Sequence, residues 1–124
     1  MKNNLPNLAL AILRIGASAM LLTHGIPKIQ MLFADTISFP DPLGVGVSIS
    51  LTLAVIGEAI APLFILVGFR TKLASVIAMI TMLVAGLIHH SNDPFATKEK
   101  AFLFALIFLV VFLAGPGKYS IDKR

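Results

Sequence analysis

The chain has 124 residues, of which 57% are hydrophobic and 13% charged, with a formal net charge of +4 and no cysteine. A soluble domain carries about 25% charged residues, so this composition, with a mean hydropathy of +0.93, excludes an ordinary soluble globule and points to one small integral membrane domain. Disulfides, thiolate metal sites and thiol relays are excluded outright, and basic residues dispersed at segment ends argue against nucleic-acid binding.

The first apolar segment runs from about Leu8 to Leu32 and contains Arg14, His24, Pro27 and Lys28. Ala17-Ser18-Ala19 resembles a signal-peptide cleavage site. Arg14, however, leaves only residues 8–13 as an apolar core before it, too short for a signal peptide, so the segment is expected to stay as a span. At 100° per residue, Arg14, Ser18, Leu21, Gly25 and Lys28 share one stripe, with His24 at its margin. The run Phe39-Pro40-Asp41-Pro42-Leu43-Gly44 is a turn and loop signal.

The second segment runs from about Val47 to Phe69. Glu58 shares a face there with Ala54, Ala61 and Pro62, beside Gly57, and small residues of this kind allow helices to approach closely. Pro27 and Pro62 are expected to distort their helices and free backbone carbonyls. Phe69-Arg70-Thr71-Lys72 reads as a tight hinge to the third segment, about Leu73 to Ile88. Ser75, Met79, Met82, Gly86 and His89 form a stripe on that segment, with the two methionines as gap-fillers. Ser91-Asn92-Asp93-Pro94 is a stop, and Asp93 or Thr97 is expected to cap the fourth helix. The fourth segment, about Ala101 to Ala114, ends at Gly115-Pro116-Gly117. The third and fourth segments are short for a span of roughly 20 residues. Each borrows flanks, bringing His89 and His90 to the end of the third helix and Glu99 and Lys100 to the start of the fourth.

The expected fold is therefore all-α: a single domain, residues 1–124, built as a four-transmembrane-helix bundle. Lys2, Arg70, Lys72, Lys118, Lys123 and Arg124 fall on one side. The positive-inside rule then places both termini in the cytoplasm and favours a multi-pass protein of the inner (plasma) membrane.

A charge at the bilayer centre costs roughly 2.5–3.5 kcal/mol on insertion scales, so the ionisable residues are expected to turn inward. Counted from the segment ends at 1.5 Å per residue, Arg14 lies about 9 Å deep and Glu58 about 16 Å deep, which predicts an Arg14–Glu58 ion pair. A second cluster, His24, Lys28, His89, His90 and Glu99, is expected at the other end. The intramembrane polar pocket is thus expected to comprise Arg14, His24, Lys28, Glu58, His89 and Glu99. His90 is read as an interfacial residue facing water. His24, His89 and Glu99 lack metal-ligand spacing, and Lys28 would repel a cation, so no metal is expected. Haem between His24 and His89 is disfavoured because both lie at the outer edge.

The pieces Leu13-Arg14-Ile15, Thr23-His24-Gly25-Ile26-Pro27-Lys28-Ile29, Gly57-Glu58, Gly68-Phe69-Arg70-Thr71-Lys72, Glu99, and Gly115-Pro116-Gly117-Lys118-Tyr119-Ser120-Ile121-Asp122 together resemble the DoxX family of small four-helix membrane proteins. Lys100 stands where that family often has an aromatic residue. The family's name is tied to the small subunit of a thiosulfate:quinone oxidoreductase, and some members resemble partners of redox-stress proteins. The resemblance implies a quinone-linked, redox-associated membrane subunit. The chain carries no electron-cofactor motif of its own, so a redox partner subunit is expected to bring electrons to a quinone held between the first three helices. The alternative is a non-enzymatic carrier or assembly module whose Arg14–Glu58 pair is structural. A homo-oligomer would supply the helices a carrier lacks, and no inverted repeat supports a transporter build.

Overall fold

The computed structural model describes residues 4–34, 37, 39–41, 43–89 and 92–122. It contains five α-helices: α1 (Leu5–Leu32), α2 (Val47–Val55), α3 (Ala61–Val67), α4 (Thr71–Val84) and α5 (Phe95–Ala114). A π-helical turn, Ile56–Ile60, joins α2 to α3 in one span, and a second, Ala85–His89, extends α4. No strand occurs among the described residues.

Among the described residues, three helices are long and apolar enough to cross a membrane: Leu5–Leu32, Val47–Val67 and Thr71–Ile88. The fourth, α5, carries Lys98, Glu99 and Lys100 near its start. Beyond them its uninterrupted apolar stretch, residues 101–114, spans about 21 Å at 1.5 Å per residue. The chain is a helical membrane bundle, as its composition requires.

Packing follows the stripes. The buried residues of α1 are Ala11, Arg14, Ala17, Ser18, Leu21 and Gly25. Ala17 and Leu21 meet Ala61 and Ile65 of α3 in the main core, and Ala74, Ala78 and Met82 of α4 meet Phe104, Ala105 and Phe108 of α5. The alanines bring backbones close, and the stacked Phe104 and Phe108 rings fill the space opposite. A smaller cluster holds Leu51, Val55 and Ala59 against Leu22, Ile29 and Phe39.

The distortion expected at Pro62 takes the form of the π turn. Proline has no amide hydrogen, so the carbonyl of Glu58 loses its usual i+4 donor, and the amide of Ala61 reaches back five residues to the carbonyl of Ile56. The turn is seated between two neighbours. A Cβ at Gly25 would strike the carbonyl of Glu58, and one at Gly57 would strike the Thr81 side chain. Glycine at both positions is what lets α1 and α4 close on the turn. Helix α1, by contrast, runs α-helical through Pro27.

Residues 115–122 fold back across one end of the bundle. Gly115 and Gly117 take positive φ values of 83° and 84°, conformations that suit glycine. The amides of Ile121 and Asp122 donate to the carbonyls of Val67 and Gly68 at 3.1 and 2.8 Å, closing the end of α3. The Asp122 carboxylate accepts from the amides of Arg70 and Thr71 and from the Thr71 hydroxyl, at 3.1, 2.9 and 2.8 Å. One aspartate thus caps the start of α4 from about fifty residues away, where Arg70 itself stands at φ 52°. The amide of Lys118 donates to the Asn7 side chain at 3.0 Å, so the beginning of α1 and the tail share this end.

At the other end, Asp41 anchors the loop before α2. Its carboxylate accepts from the amides of Val45 and Gly46 and from the Ser50 hydroxyl, at 3.0, 2.9 and 2.6 Å. The Ser50 bond, followed by the Gly46 amide, holds the Asp41 carboxyl below the usual carboxylate range. A depressed carboxyl contributes stability above its unfolded value of about 3.9, and that contribution is lost as pH falls through the lower folded value. Amide exchange at Val45 and Gly46, corrected for intrinsic rate, is therefore expected to lose protection below about pH 4. An Asp41→Asn variant should show weak protection at every pH; a wild-type acid step surviving in that variant would show that Asp41 is not its source.

Candidate functional site

A cavity of about 720 Å³ lies between α2 and α4, on the side of the π turn away from the tail. It exists because α2 leans on α1, whereas α4 packs on the π turn, α3 and α5. Leu53 and Ile80 line the cavity and are exposed rather than packed in the core, so apolar side chains form much of its accessible wall. Its lining is mainly apolar, with His24, Lys28, Glu58 and Lys100 as the ionisable groups among the described residues.

Lys28 and Glu58 form an ion pair through Nζ and Oε1 at the π turn. Glu58 is 6% exposed, and Lys28 is partly buried, with the Phe39 ring 5.8 Å from its ammonium. His24 meets Phe104 edge-on at 6.3 Å. The π turn tips Glu58 toward α1 where a regular helix would present a different register, and π-helical turns are frequent at functional sites.

The expected Arg14–Glu58 pair does not form. Arg14, 2% exposed, donates to the carbonyls of Pro116 at 2.7 Å and Tyr119 at 2.8 Å, with a longer contact to Leu66 at 3.4 Å. The depth estimate started α1 and α3 in one plane. In the fold, Arg14 stands level with Leu66 near the end of α3, while Gly25 stands level with Glu58. Lys28, three residues beyond Gly25, is then the cation within reach. Arg14 belongs to the tail end and does not line the cavity.

Glu99 and its neighbour Lys100 are both exposed, and of the two Lys100 lines the cavity. Lys100 was missed in the sequence, although it lies four residues before Phe104 and eight before Phe108, on the stripe that becomes buried. Of the six expected pocket residues, the cavity gathers His24, Lys28 and Glu58. His90 and the side chain of His89 lie outside the described residues. No group of three potential metal-binding side chains occurs among the described residues.

A bundle of apolar helices around a mainly apolar cavity, with the Lys28–Glu58 pair on its wall, is the architecture of a small helical membrane protein. The family model for DoxX matches residues 9–91, and the chain belongs to the DoxX family. The match covers α1 through the π turn after α4; α5 and the tail lie beyond it. No curated protein and no solved structure matches the chain.

Proposed function

We propose that the cavity binds the head of a membrane quinone and that the protein serves as a quinone-linked, redox-associated subunit. The supporting observation is the Lys28–Glu58 pair, its carboxylate buried and its ammonium partly so, facing a mainly apolar cavity. A quinone is an apolar ring and tail with two carbonyl acceptors. The residues present fit it: the Lys28 ammonium can donate to a carbonyl, the Glu58 carboxylate can hold a proton beside it, and Phe104 offers an aromatic wall. Conversion of quinone to quinol takes two electrons and two protons. The electrons come from a redox partner subunit, and the proton path runs through Glu58.

On this reading all four helices span, α5 with its charged first turns at the interface. Arg70, Lys72 and Lys118 gather at the tail end, with Asn7 and Asp122 beside them. The positive-inside rule then puts that end in the cytoplasm of an inner membrane and the cavity toward the opposite face.

The test is extraction of bound lipid from detergent-purified protein. Quinone at near-stoichiometric yield, with absorbance that changes on reduction, is the expected result. Quinone that neither co-purifies nor binds when added would end this reading. A non-enzymatic carrier would bind without passing electrons, so reduction of bound quinone by the membrane's own dehydrogenases separates the two.

A further inference from the structure

We propose that Lys100 and His24 form an anion subsite in the cavity, so that its ligand is an amphiphile with a negatively charged head. This rests on, and narrows, the reading of the cavity as a quinone site: the ring it prefers is one bearing an ionised acidic group.

The charges along the wall carry the argument. Glu58 is engaged by Lys28. Lys100 lines the same cavity and makes no ion pair or hydrogen bond among the described residues. Its neighbour Glu99 sits about 100° round the helix and does not line the cavity. His24, Lys28, Glu58 and Lys100 all line this one cavity. With a neutral imidazole, the described residues of the wall carry two ammoniums and one carboxylate, an excess of one positive charge among them. An ammonium beside an apolar cavity draws an anion, and a charged acceptor there forms hydrogen bonds roughly twice as strong as neutral ones. A neutral His24 adds one N–H donor. The apolar body of the ligand lies between α2 and α4, against Leu53 and Ile80.

The head chemistry is shared by an acidic quinone and a fatty acid, and the experiment separates them. Protein in zwitterionic nanodiscs is titrated with three probes of equal chain length: a 3-alkyl-2-hydroxy-1,4-naphthoquinone, ionised at neutral pH; its 2-methoxy ether; and the alkyl carboxylic acid. The hydroxyquinone should bind about tenfold tighter than the ether, the ratio one charge-assisted hydrogen bond provides. Lys100→Gln should bring that ratio close to one, and Lys100→Arg should keep it. Thermal melting checks that each variant is folded. Equal binding of the two quinones to wild type would overturn the subsite and leave the quinone reading intact. A ratio that survives both Lys100→Gln and His24→Gln would overturn it too. Binding of the carboxylic acid alone would keep the subsite and sink the quinone reading. No binding by any probe would sink both.

Discussion

Arg14→Met is expected to lower stability by about 2–5 kcal/mol, because it strands one buried and two part-buried acceptors at once. The guanidinium forks onto two carbonyls of the tail, Pro116 and Tyr119, and approaches a third on α3, that of Leu66. Removing it leaves these acceptors without their charged donor, and an acceptor left buried and unsatisfied, as that of Pro116 would be, costs about 1–3 kcal/mol. The loss spreads because the tail is a shared fastening. Its amides close α3, and Asp122 caps α4 and lies within electrostatic reach of Arg14. Released, the tail leaves both helix ends open at the turn that joins them. Titration with sodium dodecyl sulfate, read by circular dichroism, measures the change. Truncation after Gly115 is expected to destabilise similarly, and combining it with Arg14→Met should add little, because both remove one fastening. Arg14→Lys should fall between, since a single ammonium lacks the planar fork. Full additivity of Arg14→Met with the truncation would show that the arginine acts elsewhere.

The same contacts show where sequence reasoning succeeded and where it failed. Helix periodicity found the inward face of α1, because burial follows the 3.6-residue repeat whatever the neighbours are. It found Gly57 and Glu58 facing inward, and it read Pro62 as a distortion. Partner choice was a different matter. Depth counted along isolated helices assumes a common starting plane, and α1 extends below the end of α3 to meet the tail. That offset moves Arg14 from Glu58 to the Leu66 level and brings Lys28 to the carboxylate. Nothing local in residues 5–32 encodes the offset; it is set by Gly25 fitting against the Glu58 carbonyl and by Asn7 meeting Lys118, contacts between distant segments. The tail motif was legible as a helix stop. Its second role, supplying carbonyls to Arg14 and a carboxylate to α4, required knowing that it folds back. Lys100, in contrast, was legible: applying to the fourth segment the stripe argument used on the first would have chosen it over Glu99.

The Lys28–Glu58 pair carries the second large effect, and a double-mutant cycle measures it. Lys28→Met alone leaves a carboxylate that is 6% exposed facing an apolar cavity without its cation. Breaking a buried pair on one side typically costs about 3–5 kcal/mol. Glu58→Gln alone strands Lys28, but that side chain is partly exposed and still has the Phe39 ring beside it, so the expected loss is smaller. The double variant should be more stable than Lys28→Met, because the uncompensated charge is gone from both partners. The coupling expected from the cycle is about 1–3 kcal/mol, within the range for contacting residues. Stability and ligand binding must be measured on the same four proteins, because they answer different questions. If the pair is only a clamp between α1 and the π turn, quinone affinity should track folded fraction through the whole cycle. If Glu58 handles protons, Glu58→Gln should remain folded, still bind the ring, and lose the pH dependence of quinone reduction. A Glu58→Gln protein that keeps that pH dependence unchanged would remove the carboxylate from the proton path and leave it a structural role alone.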